Sequence, residues 1–135
     1  MDWQLERRRD AVLRFFRMSQ PAKKPATRDD LFRIPDNMTG QIIDGELHAH
    51  PRPAIRHARV GSSLGGGLWG PFQQGRGGPG GWWIYFEPEV HLGSNIVVPD
   101  LAGWRKERVP DEPTADEKFM TLRPDWVCEV LSPST

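Results

Sequence analysis

The chain has 135 residues, enough for one domain with a modest hydrophobic core and too few for two. Hydrophobic residues make up 37% and charged residues 27%, with 18 basic against 18 acidic side chains; this balance argues against tight, constitutive coating of DNA while leaving room for a local basic rim. No stretch approaches the roughly 18 apolar residues of a membrane span, the start MDWQLERRRD has no apolar segment of a secretory signal behind it, and the single Cys128 cannot form an internal disulfide, so a reducing cytoplasm is the expected compartment.

Residues 3 to 18 read as a short amphipathic helix, with Leu5, Val12, Phe15 and Phe16 near one face and Arg7, Arg8, Arg9, Arg14 and Arg17 around the rest. A surface helix docked by its apolar stripe is the plain reading, and a basic arm for phosphate contact is the alternative. Residues 19 to 25 form a Pro/Lys linker, and Met18, just before it, offers a second starting point. Residues 1–22 are therefore set apart from a domain spanning 23–135.

Thr27-Arg-Asp-Asp30 has the form of a capping box, and the short helix it starts ends by Pro35. Residues 41 to 48 read as a strand with a kink or bulge at Gly45. Residues 54 to 69 read as a helix weakened by Gly65, Gly66 and Gly67, each costing about 1 kcal/mol relative to alanine, so its last turn is expected to fray. A Gly/Pro loop follows over residues 70 to 81. Three further strands are expected over 82–92 (with Pro88 forcing an edge or a bulge), 96–104 and 126–131, the last two joined by a charged loop from 105 to 123. Helices followed by clustered strands predict an α/β or α+β sheet domain, without internal repeats.

Two acids fall where acids are unexpected. Period-two alternation puts Asp100 on one face with Val98 and Ala102, and Glu129 on one face with Val127 and Leu131. Burying an unpaired carboxylate costs several kcal/mol, so each needs a partner. The partner is either an arginine such as Arg105 or Arg123, or a cation shared by both acids; oxygen ligands with spare water positions suit Mg²⁺ or Mn²⁺.

The blocks Ile43-Asp-Gly-Glu-Leu-His48, Pro51-Arg-Pro53 with His57, Trp82-Trp83-Ile84 with Glu87-Pro-Glu89, Val98-Pro-Asp-Leu-Ala-Gly-Trp104 and Pro124-Asp-Trp-Val-Cys-Glu-Val-Leu-Ser-Pro-Ser-Thr135 resemble, in order, the Uma family of restriction endonucleases. The resemblance covers nearly all of the chain beyond the first helix. It implies the PD-(D/E)XK fold, a mixed sheet flanked by helices, with Asp100 and Glu129 as metal ligands and Glu46 as an upstream acid that reaches the metal through water. It further implies Mg²⁺ or Mn²⁺ as cofactor, DNA as a transient partner, and hydrolysis of phosphodiester bonds; it allows a homodimer.

The superfamily pattern places a lysine two residues after the second acid, and here Leu131 stands there. In relatives the lysine comes from a helix beyond the Leu-Ser-Pro-Ser-Thr run, followed by a further strand. The expectation is therefore a C-terminally truncated, impaired nuclease domain with an exposed sheet edge. The alternatives are a catalytically inactive remnant or protein-interaction module on the same fold, and a β-rich binding domain whose acids form salt bridges.

Other signals weigh less. Glu87, Glu89 and His91 alternate, but a solvated strand face explains them better than a zinc site. His48, His50 and His57 read first as surface residues. The Gly-rich stretch lacks the Gly-Lys-Ser/Thr of a phosphate loop. Tryptophans serve the core more often than base stacking, and Cys128 is expected to pack inside.

Overall fold

The computed structural model describes residues 23–112 and 116–131; the helix expected over residues 3 to 18 lies outside them. Among these described residues, two short sheets and two helices are built on a bent ribbon. The chain runs through α1 (Arg28–Leu31), β1 (Met38–Ile43), β2 (Glu46–Pro51), α2 (Ile55–Leu68) with a π-turn at Trp69–Gln73, β3 (Trp82–Phe86), β4 (Val90–Leu92), β5 (Asn95–Val97), β6 (Leu101–Arg105) and β7 (Trp126–Cys128). One sheet has the order β2-β1-β5-β4 and the other β3-β6-β7, and every strand pair is antiparallel. No helix among the described residues is long and apolar enough to cross a membrane.

Three expected strands divide, for local reasons. The strand expected over residues 41 to 48 is a hairpin: Ile43 faces Glu46 across a two-residue turn in which Asp44 and Gly45 both have positive φ, 51° and 79°. Asp-Gly is the turn pair that adopts this geometry at least cost, so the glycine closes a hairpin rather than bulging a strand. The strand expected over residues 82 to 92 breaks at Glu87-Pro88-Glu89, and that over 96 to 104 breaks at Val98-Pro99-Asp100. Proline cannot supply a ladder N–H, and at both places the chain leaves one sheet for the other. The two breaks lie side by side, because Glu87 N–H donates to the Asp100 carbonyl at 3.1 Å.

The hydrophobic core sits beneath this bend. Val90, Ala102 and Trp104 are fully buried, with Trp83, Tyr85, Leu92, Val97, Val109 and Met120 packed around them. Both indoles find acceptors: Trp104 Nε1 donates to Leu122 O at 2.9 Å and Trp83 Nε1 to Val109 O at 2.8 Å. These bonds come from the 105–123 connection, which also docks on β4 through His91 N–H to Met120 O and Met120 N–H to Glu89 O, each 2.8 Å. Its far end is held by Asp125, whose carboxylate accepts from Arg105 N–H at 2.9 Å and from Arg108 Nε. Trp69 and Trp126 remain exposed, and Cys128 is half-buried at the end of β7 rather than in the core.

The capping box forms as expected. The Asp30 carboxylate accepts from Thr27 N–H at 2.8 Å, which holds its carboxyl below the usual carboxylate range. Helix α2 continues through Gly65, Gly66 and Gly67 to Leu68 before widening into the π-turn. Gly65 is buried against β3: a Cβ there would lie 2.0 Å from Phe86 Cε2, so glycine is what lets this ring reach the helix.

Candidate active site

A cavity of about 320 Å³ opens where the ribbon bends between the sheets. Thr39 and Gln41 come from β1, His50 and Pro51 from β2, and His57 from the first turn of α2; the paired breaks contribute Glu87, Val98 and Asp100, and the chain leaving β7 contributes Glu129 and Val130. Gln41 Oε1 accepts from Val98 N–H at 3.0 Å, which fixes the strand break against β1. Glu87 is a non-glycine residue held at φ 42°, a strained conformation of the kind that collects at functional sites.

Asp100 is held at both oxygens. Oδ1 lies 2.8 Å from His57 Nε2, and Oδ2 accepts from Val130 N–H at 2.6 Å. Both side chains of the His57–Asp100 pair are largely buried, at 13% and 17% exposure, so the contact is shielded from solvent competition. The Glu129 carboxyl is pushed above the usual carboxylate range, first by burial, then by the negative charge of Asp100 and a hydrogen bond to it; a neighbouring His50 opposes the shift.

Asp100 and Glu129, the two acids singled out by strand periodicity, therefore line one cavity. Neither sits inside a strand: Asp100 occupies the break before β6, and Glu129 follows the end of β7. The corner between the sheets, not the pleat, brings them together, with Asp100 partly buried and Glu129 at the exposed rim. The arginine alternatives do not line the cavity: Arg105 joins Glu107 at 3.7 Å, and neither Arg105 nor Arg123 pairs with Asp100 or Glu129 among the described residues. Glu46 is not brought to the cavity. It stands exposed at the turn end of β2, four residues from His50 and so roughly 13 Å along the strand.

His57, His50 and Glu87 line the cavity although composition gave them little weight. His57 follows two prolines at a helix start, a position from which its side chain can point back across the helix end. Glu87 precedes Pro88, which cannot supply a ladder N–H, and its own left-handed φ of 42° turns the chain out of the strand. The alternation of Glu87, Glu89 and His91 breaks at this turn. Glu89 instead meets His91 Nε2 at 2.6 Å and Arg28 at 3.5 Å, while the His91 ring stacks on Phe119 at 3.8 Å. Among the described residues no three His, Cys, Asp or Glu side chains gather as a metal cage.

With this geometry, a family model described as "Putative restriction endonuclease", Uma2, matches residues 28–135. The chain belongs to the Uma2 family. The fold is likewise that of a solved structure, "a putative nuclease belonging to DUF820" from Anabaena variabilis: the two share a TM-score of 0.63 at 23% identity, covering 81% of this chain. The Uma2 chain spans 60% of the length of that nuclease chain. No curated protein matches. Family and fold together thus place Asp100 and Glu129 within a nuclease-like α/β domain.

Proposed function

We propose that this cavity hydrolyses phosphodiester bonds of DNA with a divalent ion, Mg²⁺ or Mn²⁺, held by Asp100 and Glu129. One observation carries the reading: the ends of separate strands deliver two carboxylates to one cavity, near enough that the charge of Asp100 raises the Glu129 carboxyl. A hard cation would relieve that repulsion. The donor chemistry fits, since Mg²⁺ keeps several waters and is commonly held by one or two carboxylates rather than by a full protein cage. When bound, the ion would polarise the phosphate and lower the pKa of a water.

The chain's own residues do the positioning. Val130 N–H and His57 fix the Asp100 carboxylate from two sides, so its orientation is set in advance. His57 and His50 supply nitrogen groups on the wall that a phosphate would face. Among the described residues no lysine lines the cavity, and Leu131 occupies the superfamily's lysine position. That observation supports a second reading, a nuclease-fold module that binds DNA without efficient cutting, because one missing electrostatic contributor commonly costs on the order of 10²–10³ in rate.

Nicking of supercoiled plasmid in Mg²⁺ or Mn²⁺ separates the two. Slow, metal-dependent nicking is expected, reduced on the order of 10²-fold or more by Asp100→Asn and by Glu129→Gln. A folded parent protein that binds plasmid and never nicks it in either metal would leave only the second reading.

A further inference from the structure

The neutral charge of the chain conceals a segregation. Between Glu46 and Glu87 there is no acidic residue, while Arg52, Arg56, Arg59 and Arg76 fall in that stretch. Two of these arginines, Arg56 and Arg59, are exposed on α2, the helix that sends His57 into the cavity. They border a shallow surface depression together with Val60, Ser63 and Leu64. Helical geometry puts Arg56 about 100° and Arg59 about 200° around the axis from His57, with Arg59 about 4.5 Å beyond Arg56 along it, so both stand on the solvent side of α2, turned away from the face that carries His57.

Nothing in the helix itself accounts for these cations. The first turn of α2 carries no acid, and Ala54 gives its N-terminus no side-chain cap. Positive side chains near a helix N-terminus oppose the macrodipole and weaken the helix. Neither arginine joins an ion pair among the described residues. Residues placed against local preference and without a structural partner are where a ligand is to be sought. Planar, permanently charged guanidinium groups suit phosphate oxygens.

We infer that Arg56 and Arg59 form a phosphate-contacting rail on the solvent side of α2 that holds the backbone of duplex DNA flanking the cavity of Asp100 and Glu129. The inference rests on the nuclease reading of that cavity and extends it to the substrate's flanking phosphates. The contacts are to the backbone, so the rail adds affinity and register without sequence preference.

The test is binding of the full chain to a short, fluorescently labelled DNA duplex, in EDTA so that nothing is cut, across a salt series. Each phosphate contact contributes about −0.9 to the slope of log K against log salt. Arg56→Ala with Arg59→Ala should make the slope shallower by about 1.8 and weaken binding roughly tenfold at moderate salt. Arg56→Lys with Arg59→Lys should keep most of the slope. Arg76→Ala with Arg123→Ala, an equal change of net charge at the opposite end of the β3-β6-β7 sheet, should leave it unchanged.

Equal losses from the two alanine pairs would reduce the effect to net charge and overturn the rail. An unchanged slope in Arg56→Ala/Arg59→Ala, or a changed molecular mass by light scattering without a changed slope, would also overturn it and reassign this helix face to a protein contact. In those cases metal-dependent nicking by the parent would still support the nuclease reading. A parent that binds no duplex at any salt would remove both.

Discussion

Glu129 is a side chain whose charge works against the stability of the fold. Its carboxyl is raised by burial and by Asp100, so the folded protein takes up this proton more readily than the unfolded chain does. The resulting stabilisation is fully present below the ordinary carboxylate range and is lost as pH rises through the raised value. At pH 7 the ionised group works against the fold. Glu129→Gln should therefore raise the thermal midpoint at pH 7 by about 1–3 °C, with a smaller gain or none at pH 4; thermal denaturation at the two pH values measures this. An equal gain at both would mean that packing, not charge, is responsible. Sequence periodicity was sufficient to flag both acids, because a carboxylate among apolar residues is anomalous in any extended segment. It could not find His57, whose tie to Asp100 joins residues 43 apart and depends on how α2 crosses the bend.

At the scale of elements, prolines and glycines decide where the ribbon turns. Pro88 and Pro99 each end a ladder and hand the strand to the other sheet, and the cavity is the space this paired break creates. The strand segments were legible from their apolar and aromatic runs, although burial does not alternate along them: β6 is buried from Leu101 to Trp104 and β2 is exposed throughout. The breaks were less legible, because one proline is equally compatible with an edge, a bulge or a corner. Helix α2 offers a sharper test. At Gly65 an added methyl would strike the Phe86 ring, whereas at Gly66 it would meet nothing within 4 Å. Gly65→Ala should destabilise by about 1–3 kcal/mol as the ring is forced off the helix. Gly66→Ala should stabilise by roughly 0.5–1 kcal/mol through helix propensity alone. Chemical denaturation of the two variants reads the difference, and opposite signs are the expected result. Phe86 directly precedes Glu87, so Gly65→Ala should also lower any activity, while Gly66→Ala should not.

At the scale of the molecule, a shared ion would join the bend to the end of β7. A ligand that binds only the folded state stabilises it by about 2.7 kcal/mol at a hundred times its dissociation constant. Saturating Mn²⁺ should therefore raise the midpoint of thermal unfolding of the parent, and Asp100→Asn should abolish that rise. A shift of equal size in both proteins would place the ion elsewhere. The three-stranded sheet is closed on one side by β7, whose Val127 and Trp126 remain exposed, so tethering this strand through Glu129 and Val130 matters to the whole assembly.

The amino-acid order alone determined the α/β class, the helix over most of residues 54–69, the capping box at Thr27 and the two anomalous acids, because each depends on near neighbours: side-chain period, a local hydrogen bond, or a charge among apolar residues. The division into two sheets, the turn at Asp44-Gly45 against Asn95, the placing of Glu87 and His57 beside Asp100, and the distance of Glu46 from them were decided only in three dimensions. Those features depend on pairings between distant segments, whose strength comes from the burial of Trp104, Val90 and Ala102 together and not from the preference of any one stretch.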